Sequence, residues 1–444
     1  MIRIIYNLLW PLGLLFFLPG YLLKMFRRGG YRKKFGQRLG IYNEDVRLRL
    51  AKRRSTWLHA VSVGEVAVAL KLASALRALQ PDLHCVLTTT TTTGFALANK
   101  NASLWIEVMY TPLDFWPIIR RAFAVIRPAR ILLIEAEVWP NLVAEAHARR
   151  IPIALVNARL SPRSEKRFRL FRLLVAPTFR LLDLVCVQEP EDVDRWRRIG
   201  VERDRIRHTG SIKYDPAGFY ERIHTQTIGL SDLDAFAERP VLFGGSTHRG
   251  EEEILAKVFL KLRERFSLLC LFIAPRHVER LREIRAQLEA LSLHVGLATE
   301  VATLGNAKPE CVLLDTTGEL QNWYPIATVV FIGKSLMAHG GQNPVEPIIG
   351  GKPVIFGPHM ENFATLAMSL VAKNGAIQVN DAGELERAAE KLLRDSETRR
   401  LLVQNAGEVL AQHRGATART AQLIVDLDSE AVAAPEPGLS LPNG

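Results

Sequence analysis

The sequence predicts an α/β protein made of two doubly wound domains, each a parallel sheet covered by helices on both faces. The prediction rests on the chain length, on the alternation of strand-like and helical patterns, and on a break in that alternation near the middle. A chain of 444 residues exceeds one ordinary hydrophobic core, since single domains run to roughly 50–250 residues. Apolar residues make up 48% and charged residues 23%, a composition typical of globular proteins.

In the first half of the chain, short β-branched or apolar runs alternate with longer amphipathic segments. One helical pattern spans residues 65–79, and its apolar positions share one face: Val66, Leu70, Ala73 and Leu76. Such alternation is typical of a parallel sheet between two layers of helices. The predicted strands of this half are residues 55–61, 84–88, 129–134, 152–157 and 184–188.

The pattern weakens over residues 213–239, a polar stretch, and then starts again. We therefore expect domains at 26–215 and 216–428, with ligands at the carboxyl ends of the strands and so in the cleft between the domains. Residues 429–444, rich in Ala, Pro, Gly and Ser, predict a disordered tail. The second half predicts strands at 241–244, 268–274, 312–314, 328–332 and 353–356, and helices at 251–265, 278–291, 364–373 and 384–413.

Residues 1–25 predict a membrane anchor. The 20 residues from 4 to 23 carry no formal charge, and a helix rising about 1.5 Å per residue would just cross a hydrocarbon core of roughly 30 Å. Basic residues cluster after this segment whereas Arg3 alone precedes it, so the positive-inside rule places the rest of the chain in the cytoplasm. Two alternatives remain: a segment lying in one leaflet, favoured by Pro11 and Pro19, and a cleaved signal peptide.

The net charge of +12 does not indicate a nucleic-acid binder. Residues 1–38 hold eight Lys and Arg and no acid, which leaves +4 for the rest of the chain. The basic residues are not interleaved with aromatic residues arranged to stack on bases. The four cysteines lie far apart without metal-ligand spacing, which favours a reducing compartment and predicts no metal site.

The segment 59–65 (HAVSVGE) places Glu65 where a strand ends and a helix begins. Ser62 and Glu65 have the spacing of a capping box, in which each side chain satisfies a backbone N–H of the other, and this role alone explains both residues. A carboxylate at the start of a helix facing a cleft is also a plausible general base, because it can accept a proton from a substrate hydroxyl. Both interpretations stay open at this level.

Two further segments of the first half carry candidate residues. Glu135 and Glu137 follow a buried strand, where they are either ligand-binding candidates or solvated loop acids, and alternation places them on one side if the strand continues. In residues 157–172, Arg and Lys alternate with Phe and Leu, which is typical either of a solvated helix face or of a surface for an anionic amphiphile. Lys213, at the junction of the halves, is either a surface lysine or a cation that compensates developing negative charge.

In the second half, three segments combine strand ends, glycines and polar residues. Residues 243–251 indicate a strand, a glycine turn and a helix start, which is either a plain structural turn or an arrangement that presents backbone N–H groups to an anion. Arg276 lies at the tip of the next strand. Within residues 333–347 we expect Asn343 as N-cap, Pro344 at N1 and Glu346 at N3 of a helix whose dipole favours a phosphate.

Taken together, the chain resembles the 3-deoxy-D-manno-octulosonic acid (Kdo) transferases of lipopolysaccharide synthesis, from the N-terminal segment to about residue 425. The resemblance implies the GT-B architecture of two Rossmann-like domains, and an inverting transfer of Kdo from CMP-Kdo to a lipid A precursor (lipid IVA) without metal or cofactor. The segments that carry it are HAVSVGE, IEAEVWPN, NARLS, GSIKYD, GGSTHRGEE, APRH, TTGEL and GGQNPVEP.

The resemblance also implies roles for single residues. Glu65 corresponds to the catalytic base, and Glu135 and Lys213 to residues that support the transition state. It implies work at the cytoplasmic leaflet of the inner membrane, and implies nothing about oligomeric state. The residues that match CMP-contacting segments are Pro275, Arg276, Thr317, Gly318, Glu319, Asn343, Pro344, Val345 and Glu346.

Two other functions remain as alternatives. One is a GT-B glycosyltransferase of the same membrane surface that uses a UDP-sugar. The other is a non-enzymatic membrane protein that binds anionic lipid through residues 24–38 and 159–172. Stabilisation by CMP, by UDP or by neither nucleotide separates the three.

Overall fold

The computed structural model describes residues 34–160, 162–215, 239–303, 309–316 and 320–433, together with residues 3, 4, 6–8, 10 and 236. The chain forms two compact units, residues 1–215 with 415–444, and residues 216–414. Each unit contains a seven-stranded sheet in which every pair of neighbouring strands is parallel. The predicted fold class of two doubly wound α/β units is therefore confirmed.

The sheet of the first unit has the strand order β3-β2-β1-β4-β5-β6-β7. Its strands are β1 (Ser55–Ala60), β2 (Cys85–Thr89), β3 (Ile106–Tyr110), β4 (Pro128–Ile134), β5 (Ile153–Ala158), β6 (Leu184–Val187) and β7 (Ile206–His208). Its helices are α1 (Glu44–Ala51), α2 (Val63–Leu79), α3 (Thr92–Asn101), α4 (Trp116–Ile126), α5 (Pro140–Ala148), α6 (Pro162–Leu170), α7 (Arg172–Phe179) and α8 (Pro190–Ile199), with short 3₁₀ helices at Phe35–Leu39 and Arg203–Arg205.

The sheet of the second unit has the order β10-β11-β9-β8-β12-β13-β14. Its strands are β8 (Val241–Thr247), β9 (Cys270–Pro275), β10 (Val295–Leu297), β11 (Cys311–Leu313), β12 (Val329–Ile332), β13 (Val354–Phe356) and β14 (Ile377–Gln378). Its α-helices are α9 (Glu251–Arg263), α10 (Leu281–Ala290), α11 (Leu320–Trp323), α12 (Val345–Ile349), α13 (Ala364–Ala372), α14 (Ala382–Arg394) and α15 (Ser396–Ala411). Its 3₁₀ helices are Val278–Arg280, Ala298–Thr303, Tyr324–Ile326 and Glu361–Phe363.

Several inner strands contain continuous apolar runs, which are typical of sheets covered by helices on both faces. In β4, Ile131 and Leu133 belong to the core on one face, whereas Leu132 and Ile134 belong to the core on the other. All four side chains are at most 1% exposed. Period-two alternation thus divides the residues of a single strand between two hydrophobic cores.

The structure corrects one predicted helix. Residues 384–413 form two helices, α14 and α15, separated at Asp395. The Asp395 carboxylate accepts hydrogen bonds from the backbone N–H groups of Glu397 and Thr398, at 2.9 and 3.0 Å. An aspartate that caps a new helix start ends the preceding helix, although the apolar periodicity continues through it.

The domain boundary at the C-terminus also differs from the prediction. Residues 415–428 were expected in the second domain, but helix α16 (Ala416–Ala433) packs on α2 in the first unit. Ala421 and Ile424 are fully buried in the first unit's core. Residues 429–433 of the predicted tail are helical, and its remaining residues lie outside the described part of the chain.

The buried Asp215 carboxylate joins the two points at which the chain leaves and re-enters the first unit. It accepts hydrogen bonds from Gly415 N at 2.9 Å and Thr417 N at 2.7 Å, at the start of α16. Lys71 of α2 donates to the backbone oxygen of Asp215 at 2.6 Å. A carboxylate is stabilising at a helix start when it accepts hydrogen bonds from N–H groups that have no partner within the helix. Hydrogen bonds therefore connect the start of α16 to Asp215, where the segment 34–215 ends.

At the N-terminus, the described residues among 3–10 are helical and contact the first unit. Asn7 Nδ2 donates to Asn141 Oδ1 at 2.8 Å, and the Trp10 ring stacks on Phe115 with centroids 5.4 Å apart. Within the described part of the chain, no helix combines the length and apolarity that crossing a bilayer requires. Residues 11–33, which include most of the predicted anchor, lie outside the described residues, as does most of the polar stretch 213–239.

Candidate functional site

Glu65 lies in the first turn of α2, directly after the short connection from β1. Ser62 is the N-cap, and its Oγ accepts a hydrogen bond from Glu65 N at 3.4 Å. The Glu65 carboxylate accepts hydrogen bonds from Val61 N and from Ser62 Oγ, both at 2.8 Å. The N-cap of the capping interpretation is therefore confirmed, whereas the Glu65 side chain accepts from the N–H of Val61, one residue before the expected N–H of Ser62. The same bonds hold the carboxylate in one orientation at the carboxyl end of β1, and Glu65 as a residue is only 8% exposed.

Glu135 follows β4 immediately and has a left-handed backbone with φ of 62°. Its N–H donates to Val156 O at 3.0 Å, and the chain then turns away from the sheet. Because the strand ends at Ile134, the alternation proposed for Glu135 and Glu137 does not apply. A non-glycine residue in this region is uncommon and concentrates at functional sites, where the surrounding structure enforces the strain.

Glu65, Glu135 and Glu137 form a carboxylate cluster at the ends of β1 and β4. Burial, followed by the charge of Glu65, raises the pKa of Glu135, and Lys213 and Arg159 oppose this rise. Burial, followed by the charges of Glu65 and Glu135, raises the pKa of Glu137 to about 7. β1 and β4 are neighbouring parallel strands, so the residues that follow them lie at the same edge of the sheet, close enough for their charges to act on one another.

Lys213 adds a cation to this carboxylate cluster. Burial lowers the pKa of Lys213, and the charge of Glu135 acts in the opposite direction. The loop that carries it is held from two sides: Asn157 Oδ1 accepts from Ile212 N at 2.9 Å, and Lys71 Nζ donates to Asp215 O at 2.6 Å. The structure thus brings together Glu65, Glu135 and Lys213, the three predicted catalytic residues.

Asn157 is a site residue whose role the sequence did not reveal. Asn157 is the penultimate residue of β5, has φ of 53° and is fully buried. Its backbone oxygen accepts from Gln188 Nε2 at 2.7 Å, while its side chain holds Ile212 N, so it links the ends of two strands to the lysine loop. The only local signal was an asparagine at a strand end, a residue type that tolerates the left-handed region.

The raised pKa of Glu137 predicts a pH-dependent stability difference. Between its ordinary value of 4.5 and about 7, the folded protein keeps a proton on Glu137 that the unfolded chain has lost. The stability from this group is therefore complete below about pH 4.5 and is lost as the pH rises through about 7. We expect Glu137→Gln to become progressively more stable than the wild type across this interval. Thermal unfolding of both proteins between about pH 4 and pH 8 checks this, and a difference independent of pH contradicts it.

In the second unit, the buried Glu251 carboxylate organises two strand-end loops. Its Oε2 accepts from His248 N at 2.8 Å and from Lys334 N at 2.7 Å. Its Oε1 accepts from Ser335 N at 3.0 Å and from Leu336 N at 3.1 Å. The segment 243–251 was predicted to offer backbone N–H groups to a bound anion. His248 N donates to the chain's own Glu251 carboxylate and not to a bound anion, so the expectation is wrong at this position.

The predicted nucleotide-contacting residues lie at the ends of β9 and after β12. Pro275 is buried, and the neighbouring Arg276 is exposed. Asn343 Nδ2 donates to Glu346 Oε1 at 3.1 Å. Burial raises the pKa of Glu346, and Asn343 and the charge of Arg276 oppose the rise, so Arg276, Asn343 and Glu346 form one group. Thr317, Gly318 and Glu319 lie outside the described residues.

The predicted helix cap in this group is displaced by one residue. Pro344 is the N-cap and α12 begins at Val345, although Asn343 Oδ1 still accepts from Val345 N at 3.0 Å. The helix has only five residues, so few peptide dipoles are aligned and its dipole is a weak phosphate ligand. The side chains of this segment are therefore stronger candidates for contacts with a nucleotide than the N-terminus of its helix.

Comparison with known proteins places this geometry in a class. A family model described as 3-deoxy-D-manno-octulosonic-acid transferase matches residues 33–216. The Kdo transferase of Haemophilus influenzae is 32% identical over 400 residues, covering 89% of this chain and 91% of the relative. That of Bordetella pertussis is 34% identical over 382 residues, covering 83% and 86%. Among solved structures, UDP-GlcNAc 2-epimerase from Neisseria meningitidis matches with a TM-score of 0.57 at 13% identity, over 85% of this chain and all of the epimerase, and shows the fold alone.

The two doubly wound units, the carboxylate cluster and these relatives define a glycosyltransferase. The chain belongs to the 3-deoxy-D-manno-octulosonic acid transferase family. Family membership favours Kdo transfer over the two alternatives, a UDP-sugar enzyme and a non-enzymatic lipid-binding protein.

Proposed function

We propose that this chain transfers Kdo from CMP-Kdo to a lipid A precursor, lipid IVA, with inversion at the anomeric carbon. The observation that carries the proposal is the meeting of Glu65, Glu135 and Lys213 at the carboxyl ends of the strands in a member of the Kdo transferase family. Ligands of doubly wound sheets bind at these strand ends. When a sugar hydroxyl attacks, a carboxylate base can take its proton and a nearby cation can stabilise the negative charge that develops.

Glu65 is proposed as the general base. A sugar hydroxyl is a poor nucleophile until its proton is taken, and a positioned carboxylate takes it during attack on the anomeric carbon. The bonds from Val61 N and Ser62 Oγ fix the Glu65 carboxylate, which lowers the entropic cost of that step. Glu135, held by Lys213 and by its strained backbone, is proposed to support the transition state beside it.

Binding of the donor is proposed for the group Arg276, Asn343 and Glu346 of the second unit. Arg276 is exposed and carries the fixed charge that pairs with phosphate oxygens. The Glu346 carboxylate, oriented by Asn343, is a suitable acceptor for ribose hydroxyls. Pro275, Pro344 and Val345 shape the same strand ends, and the proposed transfer uses neither a metal ion nor an organic cofactor.

We place this reaction at the cytoplasmic leaflet of the inner membrane, where the acceptor lipid would be reached. Helices α6 and α7 support the placement with a run of exposed apolar side chains: Leu170 is 78% exposed, Phe171 50% and Leu173 88%. Arg169 precedes this run and Arg172 lies within it. Exposed apolar residues beside cations are typical of surfaces that bind anionic lipid.

Product analysis tests the proposal. The full chain is incubated with CMP-Kdo and lipid IVA, and mass spectrometry is expected to find the acceptor enlarged by whole Kdo residues. In thermal unfolding, CMP is expected to raise the melting temperature, because a ligand of the folded state stabilises it, and UDP is not. Protection by UDP alone, or an unmodified acceptor after incubation with a folded enzyme, overturns the proposal.

A further inference from the structure

Three metal-binding side chains meet on the second unit, outside the residues assigned to catalysis or donor binding. We name His339, His359 and Glu361 the His-His-Glu cluster. His339 Nδ1 lies 2.8 Å from Glu361 Oε1, and His359 Nδ1 lies 3.6 Å from the same oxygen. The two imidazole rings have centroids 4.0 Å apart. One ligand atom from each residue lies within 4.8 Å of the other two.

Backbone hydrogen bonds hold the three residues in place. The second carboxylate oxygen of Glu361 accepts from Gly340 N at 2.6 Å, which turns Oε1 toward the imidazoles. His359 N donates to Ser335 O at 2.9 Å, and Asn362 N donates to Gly340 O at 2.9 Å. Ligands oriented by such outer contacts are characteristic of built metal sites. The two loops that carry the cluster are thus already joined before any ion is considered.

A simple ion pair explains only part of this geometry. His339 and Glu361 form a normal hydrogen bond, but the 3.6 Å between His359 Nδ1 and Glu361 Oε1 is too long for a second one. A tetrahedral ion with metal–nitrogen and metal–oxygen distances near 2.0–2.2 Å separates its ligand atoms by about 3.3 Å. The two observed separations, 2.8 and 3.6 Å, lie on either side of that value. Small side-chain rotations would therefore accommodate the ion.

We propose that His339, His359 and Glu361 bind one divalent transition-metal ion of the zinc class, with water completing its coordination. Imidazole and carboxylate ligands together suit Zn²⁺ and its transition-metal neighbours, whereas Mg²⁺ and Ca²⁺ favour all-oxygen sites. His339 is 77% exposed and Glu361 53%, so an ion from solvent can reach the site.

The role of the ion would be structural. The cluster links the loop after β12, which leads to Asn343, with the residues that follow β13. Ordering this loop would steady the segment that we assign to donor binding without placing the ion in the transfer reaction. The sequence did not reveal the cluster because its only local sign, a histidine two residues before a glutamate, is common, and His339 lies 20 residues upstream.

Calorimetric titration of the tag-free full chain with ZnCl₂ tests the proposal without measuring activity. We expect saturable uptake of one ion per chain and a higher melting temperature with Zn²⁺ but not with Mg²⁺. His339→Ala, His359→Ala and Glu361→Gln are each expected to weaken binding more than about tenfold. His294→Ala, an exposed histidine of the same unit, is the matched control and binds like the wild type.

Absence of saturable zinc uptake by the wild type overturns the proposal. Wild-type affinity in all three cluster variants also overturns it, because the zinc would then be bound elsewhere. An equal effect of Mg²⁺ overturns the assignment to the zinc class. The three residues lie on the surface, and the circular dichroism spectrum of each variant shows whether it is folded before its titration is interpreted.

Discussion

Replacing Glu65 by glutamine is expected to lower the turnover number by about 10²–10⁴-fold while changing the melting temperature little. The amide oxygen can accept from Val61 N as the carboxylate does. Ser62 Oγ can rotate its hydrogen and accept from the amide nitrogen, so both contacts of the cap survive. The amide cannot take a proton from the acceptor hydroxyl. Steady-state kinetics and thermal unfolding of the same preparation measure the two effects.

Ser62→Ala is the matched control for this prediction. It removes the hydroxyl that receives Glu65 N and donates to the Glu65 carboxylate, but keeps the carboxylate itself and its hydrogen bond from Val61 N. Loss of such an N-cap costs about 0.5–2 kcal/mol of stability, and we expect a much smaller loss of turnover than in Glu65→Gln. If Glu65→Gln keeps most of its activity, or simply unfolds, Glu65 acts only as a cap.

Replacing Glu251 by alanine is expected to destabilise the second unit by at least about 3 kcal/mol. The substitution leaves four backbone N–H groups without their acceptor, namely those of His248, Lys334, Ser335 and Leu336. Each buried group that loses its partner costs about 1–3 kcal/mol, and entry of water recovers part of the sum. Urea denaturation followed by circular dichroism measures the change, with the transitions of the two units fitted separately.

Glu253→Ala is the control within the same helix. Glu253 is exposed and forms a surface pair with Lys257 at 2.6 Å, so its removal is expected to cost no more than about 0.5 kcal/mol. Equal stability of the two variants would mean that other contacts hold these loops. The close approach of Gly333 to Ser246, where an added Cβ would lie 2.3 Å from a backbone oxygen, would be the first to test.

The sequence predicted the inner strands of each sheet but not its edge strands. Strands such as β6 and β12 are buried along their whole length and appear as continuous apolar runs. The four strands that were not predicted are β3, β7, β10 and β14, and each lies at the edge of its sheet. Edge strands pair on one side only, and those of this protein are short or broken by polar residues, as in the pair Ile377–Gln378. Their formation depends on the neighbouring strand more than on their own pattern.

The same distinction holds for the candidate site. The Ser62–Glu65 cap was predictable because its two residues lie three positions apart on one helix start. Glu251 was seen only as part of a turn, because three of its four donors lie more than 80 residues away. The left-handed conformations of Glu135 and Asn157 likewise arise from the packing of strand ends, which local spacing does not report.

The bond between Asp215 and the start of α16 has a consequence for synthesis of the protein. The two residues that it joins, Asp215 and Gly415, are 200 positions apart, with the whole second unit between them. At about 5–20 residues per second, a ribosome needs roughly 10–40 s to make that interval. During this time the apolar face of α2 lacks its contacts with Ala421 and Ile424. The first unit therefore cannot complete this part of its core until the second unit has been translated, and the face of α2 stays accessible to chaperones until α16 emerges.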